Sequence, residues 1–359
     1  MSVAIVLSLD HWNAGLAGFG GGEPLLMPHV DRLAARSAVF DRCFGIESGG
    51  QTSDPRRTWA RDWQSLLDDG VGLKVLVEAE DVSERDTVAS LGLEIVSEIS
   101  REDLVGAAVN RVDWLCEKGA SNRLLWVAMS APWGIDDSDG AEWPDGLEEI
   151  DRALGRFDEV VGAVLEAMEQ KSARGEVLVM VTGGTGAWLG DRGFEDPDRA
   201  ELHEDRLRTP LVLQAPGVAG GQRRLELVQV SDLCPTLSAW FGGPAESDAG
   251  ARREEPGVDL LQLLRGETGA GHDALVFEGA HGERAIRTAD LFLVHGQRDG
   301  EPFDRLFSKP GDAWDLVDVS GQGMDDVERL RARLAGEAGS GQDHGDPISD
   351  PGGTHIGDD

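Results

Sequence analysis

Met1-Ser-Val-Ala-Ile-Val-Leu-Ser-Leu-Asp10 opens with an apolar run that stops at a carboxylate. The run is too short for a typical helix, and short, nearly unbroken apolar runs suit strands buried on both faces of a parallel sheet. Similar runs recur at Leu73 to Val77, Leu124 to Met129, Val177 to Val181 and Leu211 to Leu213. Between them lie patterns of helical period. Leu104, Ala108, Val112 and Leu115 share one face, with Ser100 and Asp103 resembling a capping pair ahead of them. Ile150, Leu154, Phe157, Val161, Val164 and Met168 form a second stripe. Buried strands alternating with amphipathic helices predict an α/β fold, a mostly parallel central sheet with helices on both faces. Sites in such sheets form beyond the carboxyl ends of the strands.

This main α/β domain is assigned to residues 1–241. From 242 to 271 the chain turns rich in Gly, Glu and Arg, which reads as a surface connection. Strand-like pieces follow at Ala274 to Phe277, Ala285 to Arg287 and Leu291 to Val294, and then a helix carrying Val327, Leu330 and Leu334. They predict a small C-terminal α+β subdomain over 272–336. The last stretch, 337–359, holds Gly, Asp, Ser and Pro with almost no large apolar residue, the composition of a disordered acidic tail. No internal repeat is present.

The balance of 33 Lys and Arg against 67 Asp and Glu gives a net charge of −34, which repels nucleic-acid backbones and anionic lipid surfaces. Neither is expected as a partner. An anionic ester would be repelled too, so a working site needs a local basic or metal-bearing pocket. Cys43, Cys116 and Cys234 show no paired spacing, so neither a disulfide framework nor a cysteine-based zinc site is indicated. The first residues lack the basic start and small-residue cleavage site of a signal peptide, and no apolar run approaches the roughly 18 residues that cross a bilayer. A cytoplasmic location is the expectation.

The segment Val6-Leu-Ser-Leu-Asp10, then Gly18-Phe-Gly20, then Met27-Pro-His-Val-Asp-Arg-Leu-Ala-Ala-Arg-Ser-Ala-Val-Phe40, resembles the N-terminal signature of the sulfatase family in the alkaline-phosphatase-like superfamily. Val179 to Gly186 followed by His203-Glu-Asp-Arg-Leu-Arg-Thr-Pro-Leu-Val-Leu-Gln-Ala-Pro-Gly217 is similar to that family's second metal-binding strand and its sequel. Ser231-Asp-Leu-Cys-Pro-Thr-Leu237 resembles its Val-Asp-Leu-Ala-Pro-Thr-Leu, and Arg284-Ala-Ile-Arg-Thr288 with Lys309-Pro-Gly-Asp312 and Asp315-Leu316 resembles its C-terminal subdomain.

The resemblance implies a chemistry and also its erosion. Sulfatases hydrolyse sulfate esters with a formylglycine made from the Cys or Ser of a Cys/Ser-x-Pro-x-Arg motif, beside a divalent cation that needs several oxygen ligands. Asp10 falls at the first ligand position, but His11 stands where many relatives carry a second Asp. The family's Thr-Ser-Asp-His-Gly becomes Thr182-Gly183-Gly184-Thr185-Gly186, so Gly184 and Thr185 replace a carboxylate and an imidazole. Ser53-Asp54-Pro55-Arg56-Arg57 keeps the outline of the nucleophile motif, which makes Ser53 and Arg57 the catalytic pair if the chain is active. The family's Gly-Lys-Trp-His becomes Glu78-Ala-Glu-Asp81, its Ala-Pro-His becomes Ala131-Pro132-Trp133, its sulfate-contacting lysine aligns with Arg199, and a Tyr becomes His203. Without the resemblance Asp10 would read as a capping or turn residue, the glycines as a tight turn and His203 as a packed side chain.

These residues lead to an expectation of a catalytically degenerate sulfatase-like protein with a binding or regulatory role, acting on a protein partner or a small anion. No cofactor is expected; calcium or magnesium enters only if the chain is active. The alternative is a sulfate or phosphate ester hydrolase using Ser53 or Thr52 with Asp10, His11 and an unconventional metal. A third reading is a metal-free anion receptor on Gly183 to Gly186 with Arg56, Arg57 or Arg199, Gly184, Thr185 and Arg199 being its substrate-binding candidates.

Overall fold

A computed structural model describes residues 2–22, 26–45, 66–78, 96–100, 102–117, 119, 121–130, 147–171, 177–187, 202–243, 257–267, 270–279, 281–298 and 300–338. The opening run forms β1 (Val3–Asp10), buried along its whole length. Strands β2 (Ala38–Phe40), β3 (Cys43–Phe44), β4 (Gly72–Glu78), β5 (Val96–Ile99), β6 (Arg123–Ser130), β7 (Val177–Gly183), β8 (Leu211–Gln214), β9 (Gln222–Arg224) and β10 (Val228–Gln229) follow. Eight of them make one sheet in the order β5-β4-β6-β1-β7-β8-β2-β9, and β3 pairs with β10. The half from β5 to β7 is parallel.

The run at Leu211 to Leu213 corrects one expectation, because β8 is antiparallel to both β7 and β2. Thr182 pairs with Leu211, so the chain re-enters the sheet at the end where β7 leaves it, and only an antiparallel strand can do so without a crossover.

Helices cover both faces. On one, α1 (Pro28–Ala34), α2 (Leu104–Cys116) and α3 (Leu147–Gln170) pack through Val30, Leu33, Leu104, Ala108, Val112, Leu115 and the stripe from Leu154 to Met168. The Ser100 hydroxyl donates to Asp103 Oδ2 at 2.7 Å and accepts from the Asp103 N–H at 3.3 Å, so that pair does meet ahead of α2. The 3-10 turn Gly18–Gly20 and α4 (Glu204–Leu207) lie in the connections. On the other face sit α5 (Leu233–Phe241) and α6 (Leu260–Arg265). Helix α6 falls inside the stretch read as a surface connection. Leu260, Leu261, Leu263 and Leu264 are all buried, and Asp259 caps the helix by accepting the Leu261 N–H at 2.9 Å. The buried Asp232 carboxylate secures this stretch, accepting from Gln229 N at 2.7 Å and Val258 N at 2.8 Å, with His272 Nε2 at 3.0 Å.

A second, antiparallel sheet follows: β11 (Ala274–Glu278), β12 (Arg284–Thr288), β13 (Leu291–Arg298) and β14 (Glu301–Ser308). One face packs Phe277, Phe292 and Phe307 against Phe44, Leu202 and Leu207; the other is covered by α7 (Met324–Ala338) through Val327, Leu330 and Leu334. Among the described residues no helix is long and apolar enough to cross a membrane. The stretch read as an acidic tail lies outside the described residues from 339 onward.

Candidate functional site

Strands β1 and β7 lie side by side with Leu9 opposite Gly183, so the residues that follow each strand emerge together at its carboxyl end. Asp10, His11, Gly184 and Thr185 are thereby brought to one place. Asp10 is buried at the last position of β1. The chain turns at His11, whose φ of 55° lies in the left-handed region that costs an ordinary L-residue about 1 kcal/mol. That turn aims the ring at the opposite loop: His11 Nδ1 and Thr185 Oγ1 are 3.1 Å apart. Two further bonds join the loops. The Trp12 N–H donates to the Thr185 carbonyl at 3.0 Å, and Asn13 Nδ2 donates to the Ala187 carbonyl at 2.8 Å.

The floor is dense. Trp12 is fully buried and meets Phe157 edge-on, with ring centroids 5.3 Å apart. A Cβ on Gly183 would lie 1.9 Å from Thr209 Oγ1, so only glycine fits there. The Gly183 N–H donates to the Pro210 carbonyl at 3.3 Å, which leaves that donor unavailable to an incoming anion. Gly45, just after β3, packs over the other loop: its missing Cβ would fall 2.6 Å from the Gly184 carbonyl oxygen.

These side chains do not fit a divalent cation. Gly184 has no side chain, and the His11 ring and Thr185 hydroxyl are engaged with each other. Among the described residues no three His, Cys, Asp or Glu side chains converge as a metal site needs. The described residues here fasten two loops together and supply no coordination shell by themselves. Glu78, buried at the end of β4, occupies the same row of strand ends. Ser53, Arg57, Thr52, Arg56, Trp133 and Arg199 lie outside the described residues.

Residues 107–243 match the family model described as Sulfatase. Solved structures similar over almost the whole chain include Ps i-CgsB, crystallised with k-i-k-neocarrahexaose, at 16% identity, covering 94% of this chain and 92% of that one with a TM-score of 0.69. A 2-O GAG sulfatase is 14% identical, with 95% and 92% covered and a TM-score of 0.70. The fold is that of a sulfatase. The phosphonate monoester hydrolase of Agrobacterium radiobacter shares it at 14% identity, with 95% and 96% covered and a TM-score of 0.64. No curated protein matches the sequence.

In this sulfatase-like chain the segment leading into β8 is held by a buried charge cluster that sequence reasoning missed. Lys309 Nζ lies 2.8 Å from Glu204 Oε2 and also pairs with Asp315, and Arg287 Nε donates to Glu204 Oε2 at 3.0 Å. Asp315 Oδ2 accepts the Glu204 N–H at 2.7 Å, with His203 Nδ1 3.5 Å away. His203 is therefore a packed side chain, buried beside Phe307. Burial works to raise the Asp315 pKa, but the contacts to His203, Lys309 and the Glu204 N–H outweigh it and leave the carboxyl lowered. Arg287 moves down, chiefly from burial, in spite of Glu204. The cluster ties the small sheet to the loop beside Gly186, whose missing Cβ would fall 2.4 Å from the Asp205 carbonyl oxygen.

Proposed function

We propose that this sulfatase-like protein is a pseudoenzyme with a binding or regulatory role, not a catalyst of ester hydrolysis. The observation that carries the reading is the 3.1 Å contact of His11 with Thr185. Two positions that the family resemblance assigns to metal ligands hold side chains that satisfy each other, beside a third, Gly184, that has nothing to offer. One retained carboxylate, Asp10, cannot rebuild a shell of several oxygens. Fold stability, by contrast, rests on the apolar faces of the sheet, which are intact.

Calorimetric titration of the full-length chain with calcium and with magnesium, alongside hydrolysis assays on aryl sulfate and aryl phosphate, tests this reading. No stoichiometric cation and no turnover are expected. One cation bound per chain, or turnover lost in Ser53→Ala, overturns it.

Ester hydrolysis from Ser53 and Arg57 is the second reading. It draws on Gly45, which packs on Gly184 and starts the stretch that carries Ser53. The same Ser53→Ala comparison decides between the two.

A further inference from the structure

Five large apolar side chains are exposed among the described residues, and four of them lie between 314 and 324: Trp314 at 46%, Leu316 at 70%, Val317 at 62% and Met324 at 65%. Scattered exposed apolar residues are ordinary, whereas a concentration of them marks a contact surface. The usual order is inverted in this stretch. Asp315, between Trp314 and Leu316, is the buried residue: its backbone takes a φ of 52°, and its carboxylate points inward to Lys309 and the Glu204 N–H while its apolar neighbours meet solvent.

Backbone bonds hold the loop in that form. Asp312 accepts the Leu316 N–H with one carboxylate oxygen and the Val317 N–H with the other, both at 2.9 Å. Asp318 accepts the Leu306 and Ser320 N–H groups at 3.1 and 2.9 Å. The Gly323 N–H donates to the Val319 carbonyl at 2.9 Å, which returns the chain to Val319 just before Met324. A surface that is already ordered loses less freedom on binding. It also adjoins the candidate site: a Cβ on Gly15 would lie 3.5 Å from Trp314 Cη2, so the indole edge rests beside the loop that carries His11 and Asn13.

We propose that this face docks a cationic amphipathic segment of another protein, its apolar side chains on Trp314, Leu316 and Val317 and its Lys or Arg around them. Charge selects that partner. Every charged residue from 310 to 328 is a carboxylate: Asp312, Asp315, Asp318, Asp325, Asp326 and Glu328. Lys309 offsets Asp315 and Arg329 offsets Asp326, but Asp312, Asp325 and Glu328 form no ion pair among the described residues. A second copy of the chain would bring the same carboxylates and a net charge of −34 to the contact, and an anionic lipid surface is repelled for the same reason. The apolar contact supplies affinity, and the carboxylates supply discrimination and speed of encounter. The proposal gives the binding role inferred above its partner class, and rests on that reading for the role alone.

Calorimetric titration of the full-length protein with a synthetic leucine–lysine peptide of helical spacing tests this, beside a lysine–serine peptide of the same charge. One leucine–lysine peptide per chain is expected. Leu316→Ser combined with Val317→Ser leaves the net charge unchanged and is expected to weaken binding by about tenfold or more. Leu225→Ser, at an exposed leucine between β9 and β10, is expected to leave it unaltered. The double variant should match the parent in melting temperature and sedimentation, because the side chains it removes are exposed. No binding, binding that survives the double variant, a loss in Leu225→Ser as large as in the double variant, or equal binding of the lysine–serine peptide overturns the proposal. So does a dimer of the parent that the double variant dissolves, which assigns the face to a second copy, or a lower melting temperature in the double variant, which assigns it to a contact within the chain. All these outcomes are independent of the cation and turnover measurements that test the loss of catalysis.

Discussion

His11 Nδ1 and Thr185 Oγ1 sit 3.1 Å apart, on loops 174 residues distant in sequence that follow neighbouring parallel strands. A bond between such loops should couple the two residues energetically. Thr185→Val is expected to cost about 0.5–1.5 kcal/mol, the range for one intramolecular hydrogen bond. His11→Gly loses the same bond but also relieves the left-handed backbone, so its cost should be smaller than that of His11→Ala. A double-mutant cycle by urea denaturation checks both statements; additivity of Thr185→Val and His11→Ala would remove the bond from the account.

The buried cluster makes a sharper prediction. Lys309, Asp315 and Glu204 are nearly inaccessible, so Lys309→Met leaves two carboxylates sharing Arg287 as the remaining close cation. Breaking a buried ion pair from one side costs about 3–5 kcal/mol. The triple variant Lys309→Met, Glu204→Gln, Asp315→Asn should recover part of that loss, since it removes the uncompensated charges together. Equilibrium denaturation of the two variants gives the comparison.

How much of this was readable beforehand follows from the range of the forces. The apolar runs that became β1, β4, β6 and β7, and the stripes of α2 and α3, are local patterns, and local patterns survive in sequence. Strand β14 escaped because Asp304 and Arg305 interrupt its alternation, although Leu306 and Phe307 are buried. Helix α6 escaped because its leucines follow a Gly- and Glu-rich stretch that sets the tone of the window. The positions Asp10, Gly184 and Thr185 were legible because strand ends fix them. The His11 contact was not, since it needs a positive φ that no periodicity announces. Lys309 and Glu204 each look like surface charges until the fold brings residues 105 positions apart within 2.8 Å.

Acid stability should carry the signature of Asp315. Its folded pKa is lowered, so its contribution is fully present above the unfolded value of about 3.9 and is lost as pH falls through the folded value. The loss attributable to this residue therefore sits below about pH 4. Asp315→Asn should flatten the stability profile in that window while lowering stability at neutral pH. Denaturation midpoints of the parent and the variant from pH 3 to pH 7 measure the difference, and parallel profiles would deny Asp315 the role.

Asp158 has the opposite sign. It sits on α3 and its carboxylate accepts the His29 and Val30 N–H groups at 2.9 and 2.8 Å, capping α1 from a neighbouring helix. Burial, the largest influence, raises its pKa in spite of those two bonds. A carboxyl raised on folding holds its proton to higher pH in the native state, so its ionisation removes stability as pH rises through the folded value. Asp158→Ala deletes the cap and should cost about 0.5–2 kcal/mol. Asp158→Asn keeps an acceptor and sheds the buried charge, so its loss should be smaller and should vary less with pH. Hydrogen exchange at the His29 and Val30 amides reads the cap directly. Unchanged protection there in Asp158→Ala would show that α1 is held by Val30 and Leu33 in the core rather than by the carboxylate.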